Sequence, residues 1–169
     1  MPESTPQILT APDGTAIAYH HIAGRAPGVI FCGGFKSDMT GNKALALEAH
    51  CRAAGRQYTR FDYRGHGQSG GAFVDATVGD WKGDALAVFD QVTTGPHPND
   101  PRTLGLPPAP DFVLRMWASS SDEIKATLQR DGIYRRPSQY SDEPYEITLR
   151  LIEEGREHLV LDKGPAPVR

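Results

Sequence analysis

Residues 29–35 read VIFCGGF, and residues 61–70 read FDYRGHGQSG. The first is an apolar run that stops at two glycines and an aromatic. The second is an aromatic-acidic end that runs into a glycine-rich turn. A loop of the first kind, at the end of a parallel strand, can aim backbone N–H groups at a developing negative charge. The reading of the fold starts from this pair.

Ala26 to Cys32 is short and rich in Val, Ile and Phe, as expected for a strand buried on both faces. Ala44, Leu47, Cys51 and Ala54 then keep helical spacing, and Gly55 stands where a C-terminal stop is expected. Tyr58 to Tyr63 is the next strand. Strand, crossover helix and strand make a βαβ unit, which implies parallel pairing. Upstream, residues 7–10 and 15–22 flank Pro12-Asp13-Gly14 and read as a hairpin with an Asp-Gly turn. Downstream, Trp81, Ala85, Val88, Phe89 and Val92 form the apolar stripe of a second helix, with Gly95 after its last turn. A third helix is expected from near Ser120, with Glu123 completing a capping box, Ile124 and Leu128 facing inward, and Gly132 as its stop. A fourth is expected from Pro144 to Arg156, with Ile147, Leu151 and Ile152 on its inner face.

Between the second and third helices lies GPHPNDPRTLGLPPAPDF, with six prolines in residues 96–110. Proline cannot donate to a ladder, so no central strand is expected there.

With 169 residues, 38% hydrophobic and 23% charged, the chain fits one soluble domain. A net charge of −3 gives no basic field for nucleic acid or anionic membrane. No apolar run approaches the roughly 20 residues that span a bilayer. The start, MPESTPQ, has neither a basic nor an apolar signal region, so a cytoplasmic protein is expected. Cys32 and Cys51 are far apart and flanked by apolar residues, which reads as two separate buried thiols.

Residues 13–94 resemble the α/β-hydrolases, and within them the branch of acyl-protein thioesterases and related carboxylesterases. The likeness is carried by DGTAIAYHH, VIFCGGFKSDMTGNKA, FDYRGHGQSGG and the helix around GDWKGDALAVFD. Residues 110–160, from PDFVLRMWASSSDEIKATLQRDG to EPYEITLRLIEEGREHLVL, resemble the cap of the same branch. The resemblance implies hydrolysis of a small-molecule carboxylic ester or thioester, by a serine nucleophile with histidine as general base. It places one oxyanion-hole donor at the Phe35 backbone N–H, with Gly33 and Gly34 allowing close approach. It makes Asp62, Arg64, Gly65, His66, Gly67 and Ser69 a structural turn, and it calls for no cofactor and no metal. On the residues alone, Gly33-Gly34 also reads as an ordinary tight turn. A phosphate loop or dinucleotide fold is disfavoured, since neither glycine pattern is present.

The resemblance then calls for an apolar strand, a G-x-S-x-G elbow and a helix directly after Val92. The proline-rich segment stands there instead. One G-x-S-x-G does occur, Gly67-Gln68-Ser69-Gly70-Gly71, but no strand leads into it and no helical pattern follows. Ser69 is thus a candidate nucleophile whose better reading is a turn-stabilising hydroxyl. Ser119, Ser120 and Ser121 precede a helix, and capping accounts for at least one of them. Ser37 lies beside the glycine loop and reads as a loop hydrogen bond, with a binding role as the alternative. His20, His21, His50, His97 and His158 have no ligand-spaced partner. An acyl pocket would draw on Met116, Trp117, Tyr134 and Tyr140, which packing explains as readily.

The expected fold is α/β: part of an α/β-hydrolase sheet with its front strands and helices, plus a helical cap segment, the central nucleophile-elbow strand missing. The expected division is a core portion over 1–95, a proline-rich junction over 96–110 and a cap over 111–169. The chain reads as an incomplete copy without a catalytic triad, ending at KGPAPVR where the late triad loops would begin. The alternative is a non-catalytic binding or dimerising module, self-associating through the open sheet edge that Val29, Ile30 and Phe31 would leave.

Overall fold

The computed structural model describes residues 5–93, 111–138 and 142–159. The proline-rich segment, Gly95, His97 and Tyr140 lie outside the described residues. Four strands form the main sheet, in the order β1-β2-β4-β3: β1 (Gln7–Thr10), β2 (Ala16–Ile22), β3 (Arg25–Phe31) and β4 (Arg56–Phe61). β1 and β2 are antiparallel, and β2 runs antiparallel to β4, with Tyr19 opposite Phe61. β3 and β4 are parallel, with Val29 opposite Tyr58 and Phe31 opposite Arg60. The βαβ reading therefore holds. The hairpin loop is longer than a two-residue turn: it spans 11–15, closed by Ala11 N–H to Thr15 O at 2.8 Å and by Asp13 Oδ1 accepting from Thr15 N at 3.1 Å. A side-chain acceptor thus takes a main-chain donor, as Asp does in turns.

Helix α1 (Asn42–Ala53) packs on β4. Ala44 and Cys51 are buried, and the Tyr58 hydroxyl donates to Ala44 O at 2.8 Å. Leu47, expected on the inner stripe, is 40% exposed. The buried face of the helix is only as wide as Ala44 and Cys51, so Leu47 falls outside it. Helix α2 (Val78–Val92) buries Trp81 and Val88, and Ala85, Phe89 and Val92 pack beside them. A Thr77–Asp80 capping box starts it, with Thr77 N–H to Asp80 Oδ2 at 2.9 Å. That box was legible as T-x-x-D.

Beyond the proline-rich segment come α3 (Phe112–Ala118), α4 (Asp122–Asp131), β5 (Ile133–Arg136), β6 (Tyr145–Thr148) and α5 (Leu149–Gly155). The expected helical cap is therefore not purely helical, since its described residues include β5 and β6. The expected fourth helix begins five residues late, because Tyr145–Thr148 pair antiparallel with β5, Tyr134 opposite Ile147. Ile147 fits either period, and the β-rich run YEIT follows a proline, so pairing with β5 decides the matter. Thr148 then caps α5 by accepting from Leu151 N at 3.1 Å. The cap of α4 is Ser121, accepting from Ile124 N at 3.3 Å, and not Ser120. Ser120 and Ser119 instead bond back to Met116 O. Gly132, at φ 74°, stops α4 as expected.

Two apolar clusters hold these elements. Leu9, Ile17, Ile30, Phe61, Tyr63, Trp81 and Val88 share one with Val113 of α3 and Leu151 of α5. Leu128, Ile147 and Ile152 form the other, with Met116, Trp117 and Tyr134 packed against it. Each large side chain buried this way contributes about 1.5–3 kcal/mol.

Candidate active site

β4 delivers its last residue to Asp62, where the chain turns. Asp62 is 1% exposed, and each carboxylate oxygen takes a main-chain N–H: Oδ1 from Met39 at 2.7 Å, Oδ2 from Gln68 at 2.8 Å. Burial pushes its pKa above the ordinary carboxylate value, against the pull of those two bonds. Ser69 completes the turn. Its hydroxyl donates to Asp62 O at 2.6 Å and accepts from Ala18 N at 2.8 Å. The hydroxyl of the G-x-S-x-G serine thus ties β2 to the end of β4, and no α-helix starts directly after it: a short 3-10 turn, Phe73–Asp75, comes before α2.

Arg64 anchors the same turn to α2. Its guanidinium grips the fully buried Asp84 through Nη2 at 2.7 Å and Nε at 3.1 Å, and reaches Asp13 and Asp80. Its own N–H donates to Asp84 Oδ2 at 2.9 Å. Asp84 is one turn beyond Asp80 on α2 and twenty residues from Arg64, so no local spacing announced it.

His66 is 6% exposed, ringed by Phe73, Trp81 and Tyr63 at centroid distances of 5.1, 5.4 and 6.0 Å. Nδ1 lies 3.0 Å from Arg64 O, and Nε2 lies 3.2 Å from the Lys36 N–H. A carbonyl can only accept and an amide N–H can only donate, so the ring is neutral with its proton on Nδ1. Burial lowers its pKa, which Lys36 reinforces; the Arg64 carbonyl, Asp62 and Asp84 oppose it. A depressed folded-state pKa means the folded chain resists a proton that the unfolded chain accepts. Stability is therefore expected to be fully present above about pH 6.5 and to fall as the pH drops below it. His21, lowered by burial as well, has the same sign. Asp62 opposes it only nearer the carboxylate range. Urea midpoints at about pH 7.5 and about pH 5.5 check this, and the drop is expected to shrink in His66→Gln. An unchanged drop in that variant would rule out His66 as its source.

The glycine loop comes next to this turn. Phe35 sinks its ring among Phe73, Phe112, Trp81 and Tyr145, with centroids 5.1–6.3 Å apart. Its N–H makes no hydrogen bond to a described residue. A Cβ at Gly33 would meet Ser37 O at 3.6 Å, and one at Gly34 would meet nothing within 4 Å. The crowding expected at these glycines is therefore not produced by the described residues. Lys36 holds φ 54°, a left-handed conformation that costs a non-glycine residue about 1 kcal/mol or more.

Loop, turn and cap enclose a cleft of about 320 Å³, lined by Lys36, Ser37, Asp38, His66, Glu143 and Tyr145, among others. Ser37 is the one sequence-predicted serine on its wall. Met116, Trp117 and Tyr134 are spent in packing. Tyr145, Glu143 and Ser138 bring the cap to the cleft, and nothing in the local sequence pointed to them. Burial raises the Cys32 and Cys51 thiols, so neither is an activated nucleophile.

No family model matches the chain. A crystallised Agrobacterium vitis S4 protein named as a hydrolase is 30% identical with a TM-score of 0.78, the match taking in 93% of this chain and 73% of that one. Alpha/beta hydrolase domain-containing protein 10 from mouse gives 29% and 0.79, over 98% and 74%. This chain belongs to the α/β-hydrolases.

Its curated relatives are palmitoyl-protein thioesterases named ABHD10, mitochondrial. The Bos taurus protein is 34% identical over 96% of this α/β-hydrolase chain, and the Homo sapiens protein 32% over 95%. The chain spans about 60% of the length of these relatives. The Bos taurus match extends over 183 positions, more than the 169 residues present here. That relative therefore carries residues inside the matched span that have no counterpart in this chain. The cytoplasmic expectation is overturned, since the curated relatives are mitochondrial by name. It had rested on the lack of a recognisable leader, which carries no information about compartment.

Proposed function

We propose that this α/β-hydrolase chain retains the ester- and thioester-handling frame of the palmitoyl-protein thioesterases, and that it performs no serine-based turnover itself. In that frame the Phe35 N–H is one oxyanion donor and the 36–38 loop one wall of the acyl site. Gly33 and Gly34 give the loop its course, while Asp62, Arg64, Gly65, His66, Gly67 and Ser69 fix the neighbouring turn. Residues 1–95 serve as the core portion, 96–110 as a junction and 111–169 as the cap. The relatives' names point to a mitochondrial setting.

One observation carries the reading. Hydrolysis by this fold needs a serine exposed on a strained strand-to-helix bend. Among the described residues the G-x-S-x-G serine instead has its hydroxyl engaged by Ala18 N and Asp62 O. The interior residues that the Bos taurus relative has and this chain lacks give the same direction. A fluorophosphonate probe is expected to leave the protein unlabelled, and a long-chain acyl thioester to be bound without release of free thiol. Stoichiometric labelling that disappears in Ser69→Ala would sink the reading.

A dimerising module is the second reading. It is favoured by the position of β3 at the sheet edge among the described residues, with Val29 and Phe31 only half-buried. Light scattering separates the two: a defined dimer favours the module, a monomer or polydisperse aggregate opposes it.

A further inference from the structure

Three segments that are distant in sequence meet on one side chain. The Lys36 main-chain N–H donates to the buried Nε2 of His66 at 3.2 Å, in the turn after β4. Its ammonium donates to Pro144 O at 3.0 Å, at the entry to β6 in the cap. The same ammonium stands 5.2 Å from the centroid of Phe73, in the short helical turn that follows the 62–71 turn. Lys36 accepts a left-handed φ of 54° to make these contacts together. These contacts, together with the local turn closed by Ser37 N–H to Gly34 O at 3.0 Å, hold the lysine in a conformation that L side chains rarely adopt.

We propose that Lys36 is a positioning residue that couples the amide loop to the cap, so that the two walls of the cleft open and close as one unit. The physical argument is that both ends of the residue are committed. If the His66 acceptor lets go, Lys36 relaxes to a right-handed φ and its side chain swings away from Pro144. If Pro144 moves off with the cap, the ammonium loses its carbonyl, and less is left to offset the backbone strain. The peptide between Phe35 and Lys36, which carries the Lys36 N–H, turns with Lys36 in either case, and the loop around the neighbouring Phe35 N–H shifts with it. A ligand seated between loop and cap therefore sets the donor's aim by holding the cap, without touching the donor itself. The ring of His66 stays on its shelf of Phe73 and Trp81 throughout, as the fixed point of the coupling.

Hydrogen–deuterium exchange on the full chain tests this without any ligand or turnover, so its failure would be separate from failure of the functional reading. Lys36→Met is expected to raise exchange across residues 142–148 by about fivefold, the size of one lost hydrogen bond. Lys36→Arg, which keeps a donor for Pro144 O, is expected to restore the wild-type rate. His66→Phe keeps a ring on Phe73 and Trp81 and removes the Nε2 acceptor, along with the Nδ1–H bond to Arg64 O inside the turn. His66 makes no hydrogen bond to the cap, yet this variant is expected to loosen 142–148 as well. The double variant should be no looser there than the looser single one, with urea midpoints showing the fold intact. The proposal is overturned if Lys36→Met leaves 142–148 unchanged, if His66→Phe loosens only residues 33–38, or if the two effects multiply as independent events.

Discussion

Alanine at position 84 is expected to remove about 3–5 kcal/mol of stability, the usual result of stripping one partner from a buried ion pair. Asp84 has no exposed surface, and the Arg64 side chain is only 15% exposed. The carboxylate accepts from Nε, from Nη2 and from the Arg64 main chain. Its neighbourhood holds the Arg64 guanidinium above its already high pKa, with Asp84 as the first cause. Asp84→Ala would leave a desolvated cation with only Asp13 and Asp80, at the partly exposed rim. Against a total stability of about 5–15 kcal/mol, such a loss is a large share of what holds the chain folded. The pair is not expected to be worth that much in itself. Replacing both partners, as in Arg64→Met with Asp84→Leu, should recover most of the loss, since no uncompensated charge then remains. Urea unfolding of the two variants decides it. A loss under about 1 kcal/mol in Asp84→Ala would mean that the pair behaves as a solvated one.

Gly67→Ala is expected to cost about as much, for a reason of space. Gly67 sits at φ 45°, and a Cβ placed there would run into both oxygens of Asp62. Those oxygens cannot retreat without dropping the N–H groups of Met39 and Gln68, each left unsatisfied at about 1–3 kcal/mol. Gly71 supplies the control. It too is left-handed, at φ 85°, yet its Cβ would meet nothing nearer than Arg64 Cβ at 3.6 Å. Gly71→Ala is thus expected to cost only the conformational share, about 1–2 kcal/mol. Equal midpoints for the two variants would show that Asp62 yields easily and that its cradle is not rigid.

Both predictions concern a turn whose existence was legible and whose partners were not. FDYRGHGQSG announced a glycine-dependent bend after a strand, because glycines, an acid and small hydroxyls in that order have few other uses. Nothing in it said that Asp62 would hold Met39, or that Arg64 would hold Asp84. Those partners lie about twenty residues away along the chain, and distance along a chain carries no side-chain direction. The same holds for Lys36: its contacts with His66 and Pro144 cannot be read from KSDM, although the left-handed φ itself belongs to the local turn closed by Ser37 N–H to Gly34 O.

Errors of assignment had a related cause. Tyr145–Thr148 was expected to be helical because Ile147 matches the spacing of Leu151 and Ile152, and only the presence of β5 alongside makes it a strand. Leu47 was expected inside because it is apolar and in phase, yet the face α1 turns to β4 is only wide enough for Ala44 and Cys51.

What the sequence determined alone was periodicity and punctuation: a parallel βαβ unit, the stripe of α2, and a serine motif without the strand and helix an elbow requires. Those follow from local steric preference and from apolar spacing, which each segment carries within itself. The tertiary structure decided where Ser69 spends its hydroxyl, which carboxylate takes Arg64, and which cap residues reach the cleft. These are choices among partners brought together by the burial of Val113 and Leu151 against the sheet, and only the folded chain contains that proximity.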